Sequence, residues 1–296
     1  MIVPNTPRVR LMIKEVWRPL TVLFVWDVIV TVTYFVLPFK APSLPLTLFG
    51  SAIALFLGFR VNSAYERWWE GRGLWGLMIN ASRSLARSTI AFLDDNDPGV
   101  VDLKRTIVLR QIAYVHALRN RLRKEDPAPE VLRMLSPEEA KEGLDRQNVP
   151  NGLLDGTARR IAEAQRRGLI DTIQQTQLER VLVDIANAQG GMERLKNTPL
   201  PMQYRFFPEI FARLFCVALP IGLVESLGWA TPAGSTVAGL MFLAILRIGD
   251  DLVDPFANDV HDVPLTSMCR TVEIDLLEAI GDEAPKPLQP EKGVLW

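Results

Sequence analysis

This 296-residue chain carries 33 Lys and Arg against 34 Asp and Glu, a formal net charge of −1, which excludes the basic footprint of a nucleic-acid-binding protein. Hydrophobic residues make up 48% and charged residues 23%, with a mean hydropathy of +0.12. That is too apolar for an ordinary soluble domain and too charged for a protein wholly buried in lipid, and it fits a membrane part joined to a sizeable charged part outside it.

The first segment, residues 1–19, is basic, with Arg8, Arg10, Lys14 and Arg18. Leu20–Leu37 is the first candidate span, and its 18 residues are about the minimum for crossing a bilayer. No small-residue cleavage site follows it, so it reads as an uncleaved span rather than a signal peptide. Asp27 within it is costly in lipid unless paired or near water. A helix–helix hydrogen bond and a functional role both remain open for it. Pro38, Pro42 and Pro45, with Lys40 between them, predict a tight connection.

The second span starts there, and Pro45–Phe59 contains no charge. On a helix, Gly50, Ala54 and Gly58 form a small-residue ladder that lets another backbone approach closely. One step round, Ser51, Leu55 and Phe59 form a second stripe at i, i+4, i+8. Several copies arranged with that stripe inward would enclose a hole with a hydroxyl, an aliphatic and an aromatic ring, and a narrow apolar constriction gates by dewetting. Packing inside one chain explains both stripes equally well. After Phe59 the sequence turns to charges and tryptophans: Trp68, Trp69 and Trp75 among Arg60, Arg67 and Arg72, either an interfacial belt or a core.

Beyond this the pattern is helical and charged. Leu74–Leu93 is amphipathic, with Leu77, Ala81, Leu85 and Ser88 on one face. Residues 94–99 break it, and Val100–Arg123 reads as a long helix whose His116 is a satisfied core histidine rather than a metal ligand. After a second break at residues 125–130, Ser136, Pro137 and Glu139 have the spacing of a helix start with a capping box. Thr157–Lys196 is helical with an interruption near Gly168, the longer piece being Thr172–Lys196. Phe206–Trp229, with a kink expected at Pro220, is the third span, and Thr236–Ile248, extendable to Ala233, is the fourth. An acidic segment, a helix over Ser267–Ile280 and a Pro-rich tail from Pro285 close the chain. The tail is expected to be disordered or to lie along a neighbour.

The connection at residues 38–45 has one basic residue and that at residues 225–235 none. Positive-inside counting therefore places both termini and the middle region in the cytoplasm. Cys216 and Cys269 suggest no disulfide framework. Nucleotide-binding, zinc-protease and serine-hydrolase motifs are absent, and only His116 and His261 are histidines, so no catalytic constellation is present.

The order Gly58-Phe59-Arg60, Asn62, Ala64-Tyr65, Arg67-Trp68-Trp69-Glu70, Arg72, Trp75-Gly76 resembles the signature of the bestrophin family. Gly190–Pro201 is similar to the family's approach to its third membrane helix, and Asp254–Asp262 to the segment after its fourth. The resemblance covers nearly the whole chain, least between Asp94 and Gly168. It implies an all-α membrane protein, a homopentameric channel whose subunit has four transmembrane helices and a cytosolic helical bundle. The divisions would be residues 1–19 (cytosolic), 20–75 (two spans and the neck), 76–200 (cytosolic), 201–250 (two spans) and 251–296 (cytosolic).

By position, the family's three-ring pore neck falls on Ser51, Leu55 and Phe59. Its cytosolic aperture falls between Gly168 and Ile173, with Ile170 as the expected residue. In eukaryotic members the segment matching Asp254–Asp262 is a run of acids that clasps Ca²⁺. Asp259 and Asp262 fall on ligand positions of that clasp, but Val260 and His261 interrupt the run. A site for Ca²⁺ or another cation and a solvated acidic cap are both open, and no cofactor is required. The expected function is passage of monovalent ions across the bacterial inner membrane, with cations preferred over chloride. Its partners would be lipid, the permeant ions and further copies of the chain. A membrane-anchored scaffold and a transporter remain the readings of other classes.

Overall fold

The structure, a computed structural model, describes residues 1, 9–37, 44–93 and 98–296. The described residues are all-α: α1 (Val9–Val36), α2 (Leu46–Phe92), α3 (Pro98–Arg123), α4 (Ala128–Met134), α5 (Pro137–Leu144), α6 (Val149–Arg166), α7 (Thr172–Asn197), α8 (Met202–Leu227), α9 (Thr231–Val253) and α10 (Leu265–Ala279). A 3₁₀ turn at Gly228–Ala230 joins α8 to α9. The proline-rich connection expected before the second span and most of the acidic break at residues 94–99 lie outside the described residues.

The expected boundary between the second span and the amphipathic helix after it does not exist. α2 is one helix of 47 residues, about 70 Å at 1.5 Å per residue. No proline interrupts it, and a change in which face is apolar does not by itself end a helix. Three stretches are long and apolar enough to cross a membrane: Lys14–Val36, Leu46–Phe92 and Met202–Val253. The third contains both α8 and α9. Pro208 and Pro220 sit inside a continuous α8.

The chain divides into two compact units, with breaks after Arg67, Thr198 and Val253. One unit holds α1, α2 through Arg67, α8 and α9. Its buried centre is small, built on Val16, Ile53, Leu57, Ala212, Phe215, Leu219, Leu243 and Leu246. Most of its large apolar side chains point outward instead, among them Phe24, Ile29, Phe207, Leu214 and Met241. A soluble unit would bury that surface, whereas hydrocarbon solvates it. Asp27 is buried on α1 and accepts hydrogen bonds from Ser235 Oγ (3.0 Å) and Thr236 Oγ1 (2.9 Å) of α9. It is the helix–helix hydrogen bond of the two readings.

The other unit contains the rest of α2, α3–α7, α10 and the tail, around a continuous core that includes Trp75, Leu85, Ile112, Leu118, Ile185 and Leu276. α3 is its central helix, packed against α4, α6, α7 and α10. Ser136 caps α5 through the Glu139 N–H (3.4 Å), but the Glu139 carboxylate does not return to complete the box. It binds Arg110 (2.7 Å) and Arg160 (2.6 Å). The reciprocal box stands on α7, between Asp171 and Gln174. α4 occupies part of the stretch read as a break, since seven residues show too little periodicity to be recognised.

The tail departs from expectation. The Met1 ammonium donates to the Leu295 carbonyl (2.6 Å), Leu295 N–H donates to the Met1 carbonyl (2.9 Å), and Ser267 N–H donates to the Trp296 carbonyl (2.6 Å). Val294 is buried, so the tail is held by its own chain's backbone and core.

Candidate pore-lining face and acidic segment

Ser51, Leu55 and Phe59 lie on one face of α2 and all three are exposed, Leu55 at 59% and Phe59 at 56%. The Ser51 hydroxyl donates to the Thr47 carbonyl (2.8 Å), a bond made within the helix. Packing inside one chain therefore does not explain this stripe. A groove runs along each flank of it. One, of about 440 Å³, is formed by Phe49, Ala52, Ile53 and Phe56 with Phe211, Leu214, Phe215 and Ala218 of α8. The other, of about 550 Å³, is formed by Ala54, Leu57, Gly58 and Val61 with Phe242, Ile245 and Ile248 of α9.

The neighbouring ladder divides between two uses. A Cβ on Gly50 would stand 3.1 Å from the Phe215 ring, so Gly50 serves close packing within the chain. A Cβ on Gly58 would meet nothing within 4 Å, because Gly58 faces the open groove.

Ile170 is not presented to any opening. It is 4% exposed and belongs to the core of its unit. Gly168, at φ +72°, turns the chain so that Ile170 points inward and α7 begins at Thr172. The exposed residues of this turn are Asp171, Thr172 and Ile173, the last at 71%.

The acidic segment is less open than its composition suggests. Asp250 pairs with the buried Arg60 (2.6 Å), Asp251 with Arg247 (3.0 Å) and Asp254 with Lys196 (2.6 Å). Asp262 is 2% exposed, and its Oδ2 accepts from the Asp259 N–H at 2.9 Å. Burial pushes the Asp262 carboxyl up to about 6, helped by the nearby charges of Asp259 and Asp254 and opposed by backbone hydrogen bonds. Asp259 is itself exposed. The pair thus forms a turn in which one carboxylate caps the backbone of the other residue, and no group of three possible metal ligands occurs among the described residues.

The three motif pieces meet within one unit. Trp68 Nε1 donates to the His261 carbonyl (3.0 Å), and Glu70 binds Arg194. Leu74 occupies the space a Cβ on Gly191 would need, at 2.8 Å. Gly71 lets α2 pass Pro255 and Phe256, both 3.0 Å from where its Cβ would be. Trp75 is fully buried and Trp69 is exposed, so the tryptophans are divided between core and surface.

Sequence reasoning missed a buried cluster around His116. His116 Nε2 lies 3.0 Å from Glu273, which Arg133 grips with two bonds (2.6 and 3.1 Å), while Glu130 binds Arg119 and Arg133. Burial alone would raise Glu273, but hydrogen bonds from His116 and Arg133 outweigh it and hold the carboxyl at about 2. His116 and Arg133 lie 157 and 140 residues from Glu273, beyond any local pattern.

Comparison with known proteins agrees with this architecture. The sequence model of the Bacterial/Fungal Bestrophin protein family matches residues 9–278. A voltage-dependent anion channel-forming protein of Mesorhizobium japonicum is 34% identical over 84% of this chain and 78% of its own. The voltage-dependent anion channel-forming protein YneE of Salmonella typhi is 36% identical over 88% and 84%. A crystal structure of a bacterial bestrophin homologue from Klebsiella pneumoniae superposes with a TM-score of 0.85 at 32% identity, covering 90% of this chain and all of the other. The names of these relatives describe channels, not enzymes. With the signature of α2, the fold and the family match in agreement, the chain belongs to the bacterial and fungal bestrophin family.

Proposed function

We propose that this chain is the subunit of a ring-shaped channel in the bacterial inner membrane that conducts monovalent anions. The observation that carries the reading is the exposed stripe of Ser51, Leu55 and Phe59, opposite the side of α2 on which Ile53, Leu57 and Arg60 are buried. A stripe this apolar, with a groove on each flank, suits a ring of five copies in which each α2 contributes to the axis. Four crossings, α1, the first part of α2, α8 and α9, keep both chain ends on the cytoplasmic side, as positive-inside counting requires. The cytosolic aperture moves from Ile170 to the exposed Thr172 and Ile173 at the head of α7.

The expected cation preference gives way to anions for two reasons. The relatives cited above are named for anions. The acidic segment would raise the local cation concentration only where its carboxylates are unpaired, and Asp250 and Asp254 are paired with Arg60 and Lys196. A transporter would carry interrupted helices around a mid-membrane site, whereas α1 and α9 run unbroken and α8 continues through both its prolines. The test is recording from purified protein in planar bilayers under a KCl gradient. Discrete steps that reverse near the chloride equilibrium potential are expected. Reversal near that of potassium would restore the cation reading, and electrical silence with intact oligomers would overturn the channel.

A further inference from the structure

A cavity of about 390 Å³ opens in the α3–α10 unit, lined by His116, Arg119, Glu130, Arg133, Thr266 and Arg270. Its cations come from three elements, α3, α4 and α10. Most of them are already matched. Arg119 donates to Asn120 Oδ1 (3.0 and 2.7 Å) and to Glu130 (3.1 Å). Arg133 holds Glu273 with two donors and Glu130 with its Nε. Glu273 also takes His116.

Arg270 is the exception. Its Nε reaches Glu273 only at 3.6 Å, outside hydrogen-bond range, and that Nε is buried without a hydrogen-bond partner among the described residues. Three guanidiniums therefore face two carboxylates, Glu130 and Glu273, leaving one positive charge in excess. Thr266 accepts from Arg123 Nη1 (2.8 Å), which leaves its own hydroxyl proton to donate. The cavity wall is therefore concave, polar and net positive, with a buried donor that nothing among the described residues satisfies.

We propose that this cavity is a binding site for a small phosphate-bearing anion, with Arg270 as its principal charged contact and Thr266 as a hydrogen-bond donor. Guanidinium forks match the oxygens of phosphate. The unmatched donors, Arg270 and Thr266, stand one helical turn apart on α10, in a cavity that the paired Arg119 of α3 and Arg133 of α4 also line. The volume exceeds what a bare halide would need and lies in the range of small-molecule sites. Such a ligand would bind α3, α4 and α10 together, so its effect is read on stability and is independent of whether the protein conducts.

The experiment is thermal unfolding of the purified full-length protein in detergent, titrated with inorganic phosphate or pyrophosphate. Sodium chloride and sodium acetate at matched ionic strength are the controls. A saturable rise in Tm with the phosphates and none with chloride or acetate is expected, and Arg270→Gln should weaken the apparent affinity at least about tenfold. Arg270→Lys, which keeps the charge but loses the fork, should fall between the two and serves if Arg270→Gln does not fold. Absence of a saturable shift, an equal shift with acetate, or wild-type affinity in the Arg270 variants would overturn the proposal.

Discussion

In the proposed ring, the side chain on which conduction would depend most is Leu55. It is large, apolar and 59% exposed. Truncation widens an apolar ring without adding charge, so Leu55→Ala should raise flux per reconstituted oligomer on the order of tenfold. Ser51→Ala should change flux little, since its hydroxyl is already bonded to Thr47. Equal flux from wild type and Leu55→Ala would move the constriction to Thr172 and Ile173. In the α3–α10 unit the corresponding residue is Glu273. Its folded carboxyl lies at about 2 against an ordinary 4.5, so the charged form is favoured by folding. That contribution is fully present above pH 4.5 and is lost as pH falls toward 2. Acid unfolding followed by circular dichroism should show it, and Glu273→Gln should lower stability at pH 7 while flattening the dependence in that window. An unchanged acid slope in Glu273→Gln would remove Glu273 from the account. Asp262 has the opposite sign: its carboxyl is raised from an ordinary 3.8 to about 6, so stability falls as pH rises between those values and the cost is complete above about 6.

Among the elements, α2 carries most of what could be read in advance. Its apolar first half, its stripe and its motif were all legible, because helical spacing and residue order are local properties. Its continuity was not, since charge and tryptophan after Phe59 looked like a boundary while nothing in Arg60–Leu74 breaks a helix. The start of α7 at Thr172 was legible from the turn before it, whereas α4 was too short to show a period. Gly71 tests how tightly α2 is held. A Cβ there would sit 3.0 Å from both Pro255 and Phe256, and Phe256 is fully buried. Gly71→Val should therefore destabilise the fold by about 1–3 kcal/mol, as overpacking does. The measure is thermal or denaturant unfolding of the detergent-solubilised protein, with Gly73→Ala as the companion, since a Cβ at Gly73 meets nothing within 4 Å. Alanine is the better helix former, so Gly73→Ala should be neutral or slightly stabilising, and similar losses from both would mean that the contact with Phe256 does not set the cost.

For the molecule as a whole, the proposed pore needs several copies, because the single α2 of one subunit cannot enclose it. Light scattering corrected for bound detergent should give five times the 33.2 kDa of one chain. A monomer or dimer would refute the ring. The all-α class and the apolar stretches long enough to cross a membrane followed from composition and periodicity. The placement of Ile170, the pairing of the acids and the docking of the tail did not, because each depends on partners distant in sequence: the core of its unit for Ile170, Arg60 for Asp250, and Met1 for Leu295. The unbroken length of α2 has a mechanical consequence. A hydrogen-bonded helix resists twisting and bending far more than a loop does, and sharp bends need a proline, a bulge or an inserted group. Nothing in its sequence removes a backbone hydrogen bond in advance, so the helix that carries the exposed stripe has no ready point at which to fold back on itself, and any sharp bend would have to break bonds that are already made.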